Sequence, residues 1–261
     1  MIRWLGELPA EVLFPLFVAV GIGITFVLDL VMRRLVRPET RERASATAAV
    51  TLQVTATIYA ILIAFVIVDE YTQLRDTQSQ VSDKAASLSI VFENSRAFPK
   101  ADGDRIRTST IEYAEAVVEH GFPHLEKTDT PDRATDHAVE RLFAAVQATE
   151  PTTESQRIAY DATVRGLDSV VATRADLIDS AGATIPTALF WLLVVIGLTV
   201  MSVATLLDTR HRRSHLFMLS ALALVIWLTL ALVVSMDYPY GGLIRVTDTP
   251  IREFIAFRGA R

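Results

Sequence analysis

Between Pro38 and Pro99 the chain contains neither glycine nor proline. These are the residues that most often end or kink a helix, so Glu39 to Phe98 is expected to fold as one helix. Val50 to Val68 is almost wholly apolar, whereas the part from Asp69 onward is polar with a recurring apolar seam. A helix of that length would reach about 80–90 Å at 1.5 Å per residue. Only part of it fits the roughly 30 Å hydrocarbon core of a bilayer. The expectation is therefore a membrane helix that continues into water as a stalk, with the rest of the chain packed around it.

Three further apolar runs support a membrane assignment. They are Val12 to Met32, Ile185 to Leu207 and Leu216 to Met236, and with Ala46 to Val68 they make four candidate membrane helices. Hydrophobic residues make up 51% of the chain and are concentrated in these runs, which marks an integral membrane protein. The first run is followed by Arg33, Arg34 and Arg37 and ends at no small-residue cleavage motif, so it is expected to be retained. Asp29 near its end can reach the interface or pair with Arg33 one turn on, the alternative being a functional ion site. Pro186 falls in the first turn of the third run, where its missing N–H costs little. There is no cysteine, which excludes disulfides and thiolate chemistry.

The region 69–183 is expected outside the membrane as an acidic helical bundle. It carries 12 basic and 21 acidic residues, a balance of −9. On the stalk, Leu74, Gln78, Val81, Ala85, Leu88 and Phe92 recur in steps of four and three, a heptad-like seam. Ala101 to His120 reads as a helix with Ile106, Tyr113 and Val117 inward, broken by Gly121 and Pro123. Pro131 to Ala148 reads as another, burying Val139, Leu142, Phe143 and Val146. Thr153 to Ser180 would return toward the membrane with Tyr160, Val164, Leu167, Val171 and Ile178 on one face. Four helices with short connections can close an antiparallel bundle. The fold expected is thus all-α: a first membrane hairpin in 1–68, the bundle in 69–183, a second hairpin in 184–236 and a tail in 237–261. The tail opens with Asp237-Tyr-Pro-Tyr-Gly-Gly242, whose aromatics suit a membrane interface and whose proline and glycines force a turn.

Orientation follows from the short loops. Arg33 to Arg43 holds five arginines and Asp208 to His215 three, against five on the other side: Arg3, Arg245, Arg252, Arg258 and Arg261. The positive-inside rule places the arginine loops in the cytoplasm and the acidic bundle outside.

Catalytic signatures are missing from the sequence. No phosphate-binding loop, nucleophile elbow or HExxH pattern occurs, so an enzyme is not expected. His120, His124 and His137 could be combined into a metal site, but they read better as surface loop histidines. No cofactor is expected, and a net charge of −5 gives no basis for nucleic-acid binding. The second membrane helix is more informative. At 100° per residue, Thr51, Thr55, Ile58, Leu62, Phe65 and Asp69 fall within about 40° of one line, with Thr47 one turn earlier. Copies of this stripe around a symmetry axis would line a pore: hydroxyls at one end, an apolar gate and a carboxylate at the mouth. Ordinary helix packing would use the same residues, because threonine hydroxyls bond their own backbone and small residues favour close contact. Gln53, on the opposite face, needs an amide partner and is expected to bond another helix.

Tyr59-Ala-Ile-Leu-Ile-Ala-Phe65, the stalk segment Ala85 to Pro99 and Asp237-x-Pro-Tyr-x-Gly242 occur in an order that resembles the bestrophin-like domain family. This is a family of bacterial membrane proteins, and the resemblance covers about Ala46 to Val246. It implies a distant likeness to bestrophins, which are pentameric anion channels with their large domain in the cytoplasm. The expectation is therefore an oligomeric ion channel, anion-conducting by resemblance, in the bilayer of a bacterial inner membrane. The inorganic ion and further copies of the chain are its partners. A cation channel with an acidic outer vestibule and a non-conducting sensor or scaffold are the alternatives.

Overall fold

The computed structural model describes residues 10–128, 130, 132–182, 185–207, 212–241 and 244–258. Among them the regular structure is entirely helical. The elements are α1 (Ala10–Leu35), α2 (Pro38–Asn94), a 3₁₀ turn (Ser95–Ala97), α3 (Lys100–Ala116), a π-helical turn (Val117–Gly121), α4 (Phe122–Lys127), α5 (Arg133–Gln147), α6 (Glu154–Gly182), α7 (Thr187–Thr205), α8 (Arg212–Met236) and α9 (Thr249–Arg258). The expected long helix is present as the 57 residues of α2. Four helices, α1, α2, α7 and α8, are long and apolar enough to cross a membrane, α2 through its 46–68 stretch. Residues 208–211 of the second arginine loop, Pro131, and Gly242 of the tail motif lie outside the described residues.

The chain divides into two compact units. The first comprises Met1–Thr72, Thr184–Tyr238 and Gly242–Ile244. Its core is Tyr59, Ile63 and Val66 of α2, Leu193, Val200 and Met201 of α7, and Ile226 and Leu230 of α8. Glycine sets how closely these helices approach, because small residues let backbones pack in apolar surroundings. A Cβ at Gly21 would stand 2.1 Å from the Trp227 ring, and one at Gly197 3.1 Å from Ile226.

The second unit comprises Gln73–Ala183, Pro239–Gly241 and Arg245–Arg261. The heptad-like seam of α2 is buried as expected, with Gln78 half-buried. The buried face is wider than that seam, because Thr77, Lys84, Ser87 and Val91 are buried beside it. Ile106, Tyr113 and Val117 are inward, as are Val139, Leu142 and Val146, while Phe143 is partly buried against them. The α2–α3 corner is tight: a Cβ at Gly103 would come 2.5 Å from the Ser95 carbonyl oxygen. Asp132 caps α5, accepting from the Thr135 backbone N–H at 3.0 Å and its hydroxyl at 3.2 Å.

Three local expectations are corrected. Gly121 and Pro123 do not end the helix. The π turn shifts the hydrogen-bond register by one residue, and Pro123 falls in the first turn of α4, where its missing N–H needs no partner. On α6, Val171 is exposed, and the buried line runs through Thr163, Leu167, Val170, Thr173 and Leu177 instead. Tyr240 lies in the bundle core, donating its hydroxyl to the Leu177 carbonyl at 3.0 Å. The C-terminal residues join it there: Ile251 and Phe254 of α9 are buried, and the Phe254 ring meets Phe92 edge-on at 6.0 Å.

Candidate permeation face and a buried ionic cluster

Within the first unit, α2 packs through one narrow strip, the buried residues being Ala48, Tyr59, Ile63, Val66 and Glu70. The stripe singled out from sequence lies outside that strip. Thr47, Thr51, Ile58, Phe65 and Asp69 are exposed, and Thr55 and Leu62 are half-buried at its border. Phe65 is 68% exposed. Leu62 packs against the core from that border, and the rest of the stripe is turned away from it. A phenyl ring and an isoleucine at membrane level that touch little of their own chain face lipid, a pore or another copy.

The hydroxyls on this face have a defined direction. Thr51 donates to the Thr47 carbonyl at 3.0 Å, and Thr55 to the Thr51 carbonyl at 2.8 Å. A hydroxyl has one proton, so one donated back along the helix leaves only oxygen lone pairs available outward. The upper half of the stripe thus offers acceptors, and Asp69 adds a carboxylate at its far end. Gln53, expected to bond another helix, is exposed, and its amide makes no hydrogen bond among the described residues.

A second feature at membrane level is a buried ionic cluster. Asp29 of α1 is 5% exposed and His215 of α8 only 3%. The Asp29 carboxylate meets Arg33 Nε at 2.6 Å, the His215 ring at 3.2 Å and the Arg41 guanidinium at 4.0 Å. Arg41 also donates to the Thr205 carbonyl at the end of α7. The cluster ties all four helices of the unit together. The Asp29–Arg33 pair was legible from its spacing of four. Arg41 and His215 are distant in sequence, and no local pattern points to them. Among the described residues no group of three His, Asp or Glu side chains is arranged to hold a metal, and His124 instead contacts Thr130 at 3.2 Å.

Four apolar helices in one unit and a polar helical bundle in the other define an all-helical integral membrane protein. The chain belongs to the bestrophin-like domain family, whose model matches residues 19–251. Its fold is that of crystal structures of a bacterial bestrophin homologue from Klebsiella pneumoniae. A tryptophan-to-alanine variant of that protein matches with a TM-score of 0.68 at 11% identity over 94% of this chain and 97% of its own. A leucine-to-threonine variant gives 0.68 at 12% over 94% and 99%, and a form phased with zinc 0.64 at 10% over 94% and 98%. No curated protein is significantly similar in sequence.

Proposed function

We propose that the protein is an oligomeric ion channel of the inner membrane, with the Thr47–Asp69 stripe of α2 as its permeation face. Membership of the bestrophin-like family and the bestrophin fold support a channel rather than an enzyme. The observation that carries the assignment of the face is its exposure in the single chain together with its turned-back hydroxyls. An acceptor-only ring replaces the hydration of a cation, while an anion needs donors. The Asp69 carboxylate adds a field of the same sense. We therefore assign cations as the permeant species. The resemblance to bestrophins favours anions, and that is the second reading.

The purified protein in planar bilayers under a potassium chloride gradient decides between them. A reversal potential near that of potassium, weakened in Asp69→Asn, is the expected result. A potential near that of chloride reverses the selectivity assignment. A monomer with no flux over a range of pH and voltage overturns the channel. The arginine balance places the Arg33–Arg43 connection in the cytoplasm and the bundle outside. A cysteine at Thr128 should then label with an impermeant reagent from outside, and one at Ser214 should not. The opposite pattern gives the bestrophin orientation.

A further inference from the structure

Lys84 is the unusual residue of the bundle. It sits beside the apolar seam of α2, is 2% exposed, and has no carboxylate within ion-pair distance among the described residues. Its ammonium lies over the Tyr113 ring, 5.4 Å from the centroid. The Tyr113 hydroxyl is itself buried without a hydrogen-bond partner among the described residues. Lys84 lines a cavity of about 30 Å³ shared with Asp132, Thr135, Arg174 and the apolar residues of the π turn and α6. One water needs roughly 10–15 Å³ by the same measure, so the space suits one or two small species.

The walls have a definite polarity. A buried ammonium must find a counter-charge or lose its proton. Burial, reinforced by the neighbouring Arg174 charge, brings Lys84 down to about 7. Arg174 cannot discharge. It is paired with Asp136. Asp132, the one carboxylate on the wall, is occupied by the Thr135 N–H and hydroxyl at the α5 cap. The π turn keeps the space open, because the helix widens there and Gly121 contributes no side chain. A Cβ at Gly121 would lie 3.3 Å from the Thr135 hydroxyl. Such turns recur at ligand sites.

We propose that this cavity binds one small monovalent anion, of the chloride or bromide class, between Lys84 Nζ and the Arg174 guanidinium. A free volume of about 30 Å³ suits a single small ion. This site lies in the bundle and does not depend on which ion, if any, the α2 stripe conducts.

The test uses the full chain in detergent at pH 6, in sodium bromide or sodium gluconate at equal ionic strength. Bromide should raise the melting midpoint of the wild type saturably and leave Lys84→Met, which keeps the length and loses the charge, unmoved. Crystals grown in bromide should show an anomalous peak beside Lys84 Nζ. A cavity without that peak overturns the site whatever the melting data show. An equal bromide shift in Lys84→Met, or a peak retained in it, overturns the role of the ammonium. If Lys84→Met does not fold, the wild-type anomalous map alone decides.

Discussion

Asp29 of α1 and His215 of α8 meet at 3.2 Å within a cluster of helices whose other contacts are almost all apolar. Removing the carboxylate leaves the two arginines and the histidine without their shared acceptor. Asp29→Ala should therefore cost about 3–5 kcal/mol, the usual penalty for breaking a buried pair from one side. Asp29→Asn keeps a carbonyl oxygen for His215 and should cost less. Thermal unfolding in detergent measures both, and an Asp29→Ala protein as stable as wild type would show that the cluster contributes nothing to folding.

Leu88 and Phe92 are buried on the face of α2 that forms the bundle core. Truncation of either to alanine should cost about 2–5 kcal/mol. Two serines flank Leu88. Ser87 is buried and within 2.9 Å of the Ser169 hydroxyl, whereas Ser89 bonds only its own helix at Ala85. Ser87→Ala should cost on the order of 1 kcal/mol and Ser89→Ala close to nothing. Equal small effects at all four positions would mean that this face is not a packed core.

Gly21 and Gly23 make a controlled pair on α1. A methyl at Gly21 collides with the Trp227 indole, whereas one at Gly23 meets nothing within 4 Å. Gly21→Ala should lower the melting midpoint and reduce the yield of folded protein. Gly23→Ala should leave the midpoint unchanged or raise it, since alanine in a helix gains about 0.5–1 kcal/mol over glycine. Similar behaviour of the two variants would contradict the α1–α8 packing.

On the proposed permeation face, Leu62→Thr should raise open probability in bilayers, because a hydroxyl-bearing ring wets more readily than an isobutyl ring. Ile61 is also exposed and points about 100° away around the helix. Ile61→Thr should change conduction much less. The neighbour on the other side, Ile63, is buried in the core and would confound conduction with folding. Equal gating effects at 61 and 62 would place the pore on another face.

Much of the architecture was legible because it rests on local rules. The absence of helix breakers after Pro38 foretold α2, and the four-and-three spacing foretold which side of its later turns is buried. The α6 face was harder. Val170 and Val171 are equally apolar neighbours, and only contact with the rest of the bundle selects Val170. The stripe on α2 was found by angular arithmetic, but that arithmetic does not say whether a face is packed within the chain. The ionic cluster was half visible, through Asp29 and Arg33, because one helical turn separates them. Its other half depends on four helices converging, which no local window contains. Lys84 gives no local signal, because a lysine beside a heptad seam reads as a solvated flank, and its burial is decided by α3 and α6.

The π turn at Val117–Gly121 amounts to one residue inserted into an otherwise continuous helix. Deleting a single residue there would leave Pro123 inside an uninterrupted α-helix, where its missing N–H and its ring cost about 3 kcal/mol, and everything after it would rotate by about 100°. Phe122 would leave its edge-on contact with Tyr240, now at 5.8 Å, and Leu125 would turn out of the Lys84 cavity. The chain around this turn should therefore tolerate substitution far better than a change in length.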